Sequence, residues 1–123
     1  MPDSNDIYIE LSYLQSISGG DAETEKTILK MLLDDMEQLC PLLRIHLEAK
    51  NIEELEKVAH KLKSSLAFSG NEQLMKANDE LLEIARTREK VDCASALISQ
   101  IEELTPLIIQ ELHKKLGDSS RNE

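Results

Sequence analysis

Residues 51–70 read NIEELEKVAHKLKSSLAFSG and carry the pattern that decides the fold. Their apolar positions recur every three or four residues, at Leu55, Val58, Ala59, Leu62 and Leu66. This spacing lines one face of an α-helix, because each residue of a helix turns the chain by about 100°. At the two ends, Asn51 with Glu54 resembles a capping box, and Gly70 is suited to a C-terminal cap. The stretch therefore predicts one amphipathic helix with a defined start and end.

Two further helices are predicted before this segment. Apolar residues at helical spacing predict a short helix over residues 7–17, just before the pair Gly19-Gly20. A long helix is expected over residues 21–49, with an aspartate as its N-cap. Pro41 lies inside this long helix and cannot donate the backbone hydrogen bond four residues back. We therefore expect a kink or a break near residues 37–41.

Two more helices are predicted after it, over residues 71–86 and residues 91–116. The second of these contains Pro106 and should also be kinked. Four long amphipathic helices joined by short polar turns must pack with antiparallel neighbours. The predicted fold is therefore all-α, an up-down-up-down four-helix bundle with a short additional N-terminal helix. Residues 1–116 would form this single domain, and residues 117–123 a disordered tail.

The composition limits the possible partners. The chain has 123 residues, enough for one domain, and a formal net charge of −10. Nucleic-acid binding needs a concentrated cationic surface, so no nucleic-acid partner is expected. No stretch reaches the roughly 18 apolar residues of a membrane span, and no secretory signal pattern is present, so we expect a cytoplasmic protein with no membrane partner. Cys40 and Cys93 lack metal-binding spacing and are expected to be reduced and mostly buried.

His60 lies on the polar face of the predicted helix, roughly 140° from the centre of the apolar face. A neutral imidazole nitrogen, available near neutral pH, is a competent phosphoryl acceptor. Phosphoryl transfer also requires negative charge to be neutralised, and Lys63, one turn away, is placed to do this. Glu56 is placed to hydrogen-bond to the other ring nitrogen and orient the ring. His46 and His113 lack such surroundings and are interpreted as surface residues.

Small side chains near His60 distinguish this face from an ordinary solvated helix surface. The residues that share the face with His60 are Glu56, Lys57, Lys63, Ser64 and Ala67. The small side chains of Ser64 and Ala67 leave a recess in the surface where another protein can approach the ring closely. We therefore predict a partner-docking surface formed by Glu56, Lys57, Ser64 and Ala67.

Residues 59–70, AHKLKSSLAFSG, resemble the signature of histidine-containing phosphotransfer domains, A-H-x-L-K-G-S-[SA]-x-x-[LIV]-G. The positions that match in register are His60, Leu62, Lys63, Ser65 and Gly70. Two positions depart from it: Ser64 stands where the family usually has Gly, and Ser69 where it usually has an aliphatic residue. Phe68 offers apolar bulk beside the second departure.

The resemblance implies a function and a set of roles. His60 would be phosphorylated by a receiver aspartyl phosphate and would pass the group on to another receiver. Lys63 would stabilise the phosphoryl charge, while Leu62, Ser65 and Gly70 would be structural. The expected partners are receiver domains of response regulators or hybrid sensor kinases, and the chain is expected to be a monomer. It would be a carrier without kinase activity, holding neither cofactor nor metal, because the magnesium ion belongs to the receiver.

Three other classes of function compete with this interpretation. A metal-carboxylate bundle needs Glu-x-x-His motifs on its helices, and the sequence contains none. A Gly-rich nucleotide-binding loop is also missing, which argues against an autonomous kinase. A module that binds a receiver without being phosphorylated stays open as an alternative.

Overall fold

Four long helices and a short first helix make up most of the structure, a computed structural model that describes residues 8–121, with side chains described to residue 116. The helices are α1 (Ser12–Ser18), α2 (Ala22–Glu48), α3 (Ile52–Leu66), α4 (Glu72–Thr87) and α5 (Ala94–Arg121). Two 3-10 turns, Ala67–Ser69 and Val91–Cys93, precede α4 and α5. The described residues contain no β-strand, and the predicted all-α class is confirmed.

The long helices pack in a ring that follows their order in the chain. Helix α2 lies against α3 and α5, and α4 lies against the same two helices. Short connections reverse the chain direction between successive helices, which gives the up-down-up-down arrangement. The interior is filled mainly by fully buried Leu and Ile side chains, among them Leu43, Leu55, Leu62, Leu81 and Ile98. The predicted four-helix bundle with an additional N-terminal helix is therefore confirmed.

Side-chain caps start three of the helices. Asp21, Asn51 and Asn71 each accept a hydrogen bond from the backbone N–H three residues later, at 3.0, 3.2 and 2.9 Å. Such a cap contributes about 1 kcal/mol to helix stability. Only half of the predicted capping box forms, because the Asn51 N–H donates to the His46 carbonyl at 2.9 Å while the Glu54 carboxylate pairs with Lys57 at 3.3 Å. The caps nevertheless place the starts of α2, α3 and α4 within one residue of the prediction.

Of the two alternatives expected near Pro41, the break does not form, since α2 continues through Pro41. Helix α5 likewise continues through Pro106, and a kink at either proline stays a prediction. Each proline costs its helix roughly 3 kcal/mol. Met36 and Leu43 are fully buried on either side of Pro41, so packing holds both halves of α2 against the core. Both prolines are exposed, which leaves the region of the missing hydrogen bond next to water.

The first helix differs from its prediction. It begins at Ser12, and residues 8–11 have no helical structure. Ile9 is buried, with 2% of its surface exposed, whereas Ile17, expected on the apolar face, is 52% exposed. The reason is a non-local contact, because the Glu10 N–H donates to the Ser69 carbonyl at 2.8 Å and draws this segment onto the α3–α4 turn. Ile7, also expected on that face, lies outside the described residues.

Gly70 makes this contact possible. Its φ of +64° lies in the left-handed region, which favours glycine over other residues. A Cβ atom on Gly70 would lie 2.1 Å from the Glu10 carbonyl oxygen. The segment that closes this end of the bundle therefore requires glycine for both conformation and space.

The last helix and one cysteine also differ from expectation. Helix α5 ends at Arg121, so it includes residues expected in a disordered tail; residues 122 and 123 lie outside the described range. Disorder of residues 117–123 stays a prediction. Cys93 is exposed, which corrects the expectation that both cysteines are buried, because it lies in the turn before α5. Cys40 is buried, and this burial raises the pKa of its thiol to about 11.

None of the helices in the described part of the chain is long and apolar enough to cross a membrane.

Candidate functional site

His60 projects from the middle of α3 into solvent. The residue before it, Ala59, is fully buried, and so is Leu62 two positions later. His60 itself is exposed, as its position on the helix predicted. Among the described residues its ring takes part in no hydrogen bond and no ion pair. The imidazole is therefore open to a group brought by another molecule.

Lys63 lies one turn after His60, and its ammonium contacts the neighbouring helix. Lys63 Nζ is 3.5 Å from Asp79 Oδ1 of α4. The two side chains are 58% and 52% exposed, so water screens the pair and it is weak. The structure therefore places a cation on the turn that carries His60. It also adds Asp79, which the sequence reasoning missed.

The structure does not place Glu56 on the ring of His60. Glu56 Oε2 instead lies 3.8 Å from Arg86 Nε of α4. A guanidinium carries a full charge and several donors, so it competes well with a neutral imidazole for a carboxylate. The predicted hydrogen bond between Glu56 and His60 is therefore not formed. Lys57 is exposed and pairs with Glu54 on its own helix.

Of the two small residues predicted for docking, Ala67 lines a shallow depression. Ser64 is exposed, and Ala67 is half-buried. A cavity of about 100 Å³ opens there between α3 and α4, lined by Lys63, Leu66, Ala67, Met75, Asn78 and Asp79. The surface one turn beyond His60 is therefore recessed.

Ser65 joins α3 to α2. Its hydroxyl donates to the carboxylate of Asp35, which lies on α2. A hydrogen bond to a charged acceptor is stronger than one between neutral groups, so this contact helps fix α3 in the bundle. The sequence offered no signal for Asp35, because its spacing fits any half-buried helix position.

Ser69 is fully buried but its hydroxyl is satisfied locally. It donates to the Leu66 carbonyl at 2.6 Å and accepts from the Asn71 N–H at 3.1 Å. These bonds remove most of the cost of burying a hydroxyl, so a serine fits where the signature has an aliphatic residue. Phe68 stacks on Tyr13 of α1, with the ring centroids 5.5 Å apart. The apolar contact at this turn therefore comes from Phe68.

Asn78 is a buried residue near His60 that the sequence reasoning missed. It is 1% exposed, and its Nδ2 donates to the Ala59 carbonyl at 2.9 Å. A signal was present, because Asn78 lies four residues after Leu74 and four before Leu82, both of which are buried. A polar side chain on an apolar helix face usually needs a buried partner.

No group of three or more His, Cys, Asp and Glu side chains in the described part of the chain could hold a metal ion.

A comparison of the sequence with models of protein families gives a match. The family model described as Hpt domain matches residues 27–116, which is most of the chain and includes all of α3 and α4. No match was found among curated proteins or among solved structures. The matched residues contain the exposed His60, the neighbouring Lys63 and the turn that ends at Gly70. The chain therefore belongs to the Hpt domain family.

Proposed function

We propose that this chain carries a phosphoryl group on His60 between receiver domains of a multistep two-component phosphorelay. Hpt domains are phosphocarrier modules of such relays and interact with receiver domains of response regulators. The observation that carries the assignment to His60 is its exposure, without a partner in the described residues, one turn from a lysine ammonium. His46 and His113 have no lysine three residues later in the sequence, the spacing that separates His60 from Lys63.

The transfer requires a neutral ring nitrogen and a phosphorylated receiver aspartate. The nitrogen lone pair of His60 attacks phosphorus, and an N–P bond forms. The P–O bond to the aspartyl carboxylate breaks, and its electron pair leaves with the carboxylate. The reverse sequence passes the group to another receiver. Magnesium, which we expect on the receiver, supplies charge neutralisation there.

Lys63 neutralises negative charge on the phosphoryl group during this transfer. Catalysis of phosphoryl transfer depends mainly on positioning and on neutralising the transferred oxygens. Among the described residues the Lys63 ammonium has an exposed pair with Asp79 as its one contact of this kind, so it can turn towards a phosphoryl group at His60 at little cost. We therefore assign it phosphate charge stabilisation.

The part of α3 next to His60 carries two exposed lysine ammoniums. Lys57 and Lys63 lie one turn before and one turn after His60, and each forms an exposed pair with one carboxylate. Such exposed pairs are weak, so both ammoniums can turn towards a phosphorylated aspartate. Ser64 and Ala67 add no bulk beside the ring, so the reacting atoms can reach the roughly 3–3.5 Å that transfer needs.

The test is incubation of the chain with a phosphorylated receiver, followed by measurement of acid-labile, base-stable label. The parent chain should be labelled, and His60→Gln should not be. His60 is exposed, so His60→Gln should keep the helical content and melting temperature of the parent. His113→Gln is the matched control, because His113 is also an exposed helical histidine, and it should be labelled like the parent.

Two results would count against the proposal. Full labelling of His60→Gln would move the phosphorylated residue elsewhere. Binding of the receiver without label on the parent would favour the alternative, a receiver-binding module that is not phosphorylated.

A further inference from the structure

Two adjacent residues of α4 contact the helical turn that carries His60. Asn78 Nδ2 donates to the Ala59 carbonyl at 2.9 Å, and Asp79 Oδ1 lies 3.5 Å from Lys63 Nζ. In an α-helix the carbonyl of residue 59 accepts from the N–H of residue 63, so Ala59 and Lys63 are the two ends of one turn. His60 lies between them. Helix α4 therefore contacts both ends of the turn.

The two contacts differ in strength because they differ in burial. Asn78 is 1% exposed, and breaking its hydrogen bond would leave the buried Nδ2 donor without its acceptor, the Ala59 carbonyl. A reversed amide would point its oxygen at the Ala59 carbonyl oxygen, so the orientation is fixed by repulsion. The pair of Asp79 with Lys63 is more than half exposed and opens easily. Asn78 thus fixes α4 against α3, while Asp79 holds Lys63 loosely.

We propose that Asp79 is a positioning residue that holds the Lys63 ammonium at α4 until a phosphoryl group on His60 competes for it. This inference rests on the proposed phosphorylation of His60. A phosphoryl group carries close to two negative charges at neutral pH and three acceptor oxygens, more than one carboxylate offers. The Lys63 ammonium therefore leaves Asp79 and contacts the phosphoryl oxygens. Competition from Asp79 determines how fully Lys63 neutralises the charge on those oxygens.

A variant without the Asp79 charge should stabilise phosphohistidine. Asp79→Asn keeps the size of the side chain but removes the competitor for Lys63 and one nearby negative charge. We expect the phosphohistidine lifetime to lengthen about two- to fivefold, the range expected for one exposed ion pair. Glu80→Gln is the matched control, since it removes the same charge at the next residue. Glu80 lines grooves between α4 and α5 and makes no ion pair with Lys63, so its variant should keep the parent lifetime.

The experiment uses the full chain and phosphoramidate as a small-molecule donor, so that no receiver is involved. After removal of the donor, loss of phosphohistidine is followed at low ionic strength by phosphorus NMR. Each variant is also combined with Lys63→Gln. In that background the effect of Asp79→Asn should fall to that of Glu80→Gln, because the competition exists only while the ammonium is present and only the loss of one negative charge remains. A structural role of Asp79 would instead change the melting temperature and give the same lifetime ratio in both backgrounds.

Four outcomes would overturn the inference: a lifetime of Asp79→Asn equal to the parent's, a shorter one, a ratio unchanged by Lys63→Gln, or no phosphoryl group on His60 at all. The proposed function is tested separately with a phosphorylated receiver. A chain that is labelled by phosphoramidate but by no receiver would contradict the proposed function and leave the role of Asp79 standing.

Discussion

Gly70→Ala should destabilise the fold more than an ordinary glycine substitution, by an amount that the structure divides into two parts. The first part is conformational, since a residue with a Cβ in the left-handed region costs about 1–2 kcal/mol. The second part is steric, because the Cβ would lie 2.1 Å from the Glu10 carbonyl oxygen and residues 8–11 must move away. That movement breaks the 2.8 Å bond from Glu10 to Ser69, worth about 1 kcal/mol, and exposes part of Ile9, worth about 2 kcal/mol when fully buried.

Gly19→Ala provides the matched control. Gly19 has a φ of +65°, almost the same as Gly70, but nothing lies within 4 Å of the position that a Cβ would take there. Gly19→Ala should therefore lower the free energy of unfolding by about 1–2 kcal/mol. Gly70→Ala should lower it by about 2–3 kcal/mol more, from the lost hydrogen bond and the exposed part of Ile9. Urea unfolding followed by circular dichroism measures both values on one scale.

The refuting result is equal destabilisation by the two variants. It would mean that residues 8–11 do not close this end of the bundle against Gly70. A second readout separates folding from chemistry, because His60 lies about three helical turns before Gly70 in sequence. Below its melting temperature, Gly70→Ala should still accept a phosphoryl group on His60.

Two further predictions concern the surface around His60. Lys63→Ala should slow transfer from a phosphorylated receiver and change the free energy of unfolding by about 0.5 kcal/mol or less, while Lys61→Ala, also exposed on α3, should have the smaller effect on transfer. Equal transfer rates for Lys63→Ala and the parent would remove Lys63 from the site. Ser64→Gln should weaken receiver binding in a titration and keep the thermal melt of the parent, because it adds bulk at an exposed helical position. Unchanged binding would show that the receiver does not dock over this residue.

The helix positions were predictable because their signals are local. The aspartate and asparagine caps precede apolar repeats in the sequence, and each cap side chain accepts a backbone hydrogen bond three residues later. Helix α2 was predicted over residues 21–49 and is Ala22–Glu48, and α4 was predicted over residues 71–86 and is Glu72–Thr87. Exposure of His60 followed from the same periodicity. A cap or an apolar repeat determines only the helix end or the helix face within a few residues of it.

The contacts between helices were not predictable in this way. Ser65 bonds to Asp35, and Lys63 pairs with Asp79, each on a neighbouring helix. The apolar pattern of one helix does not specify how far it is shifted along its axis relative to its neighbour. Glu56 illustrates the error that results, because helical spacing allowed a bond to His60 while Arg86 of α4 lies within reach of the same carboxylate. Helical spacing offered His60 as a partner for Glu56, and the packing of α4 supplied a stronger partner, Arg86.

The family signature in this chain divides by what its residues contact. Leu62 is fully buried, Ser65 bonds to α2, and Gly70 allows residues 8–11 to close the end of the bundle. Substitution of these three should therefore act first on the free energy of unfolding. His60 and Lys63 are exposed and contribute little to the core, so the fold gives no reason for either residue type. Packing does not require this histidine and lysine, but it holds in place the helix on which they lie one turn apart. Phosphoryl transfer needs a nucleophile and a cation that are positioned in this way.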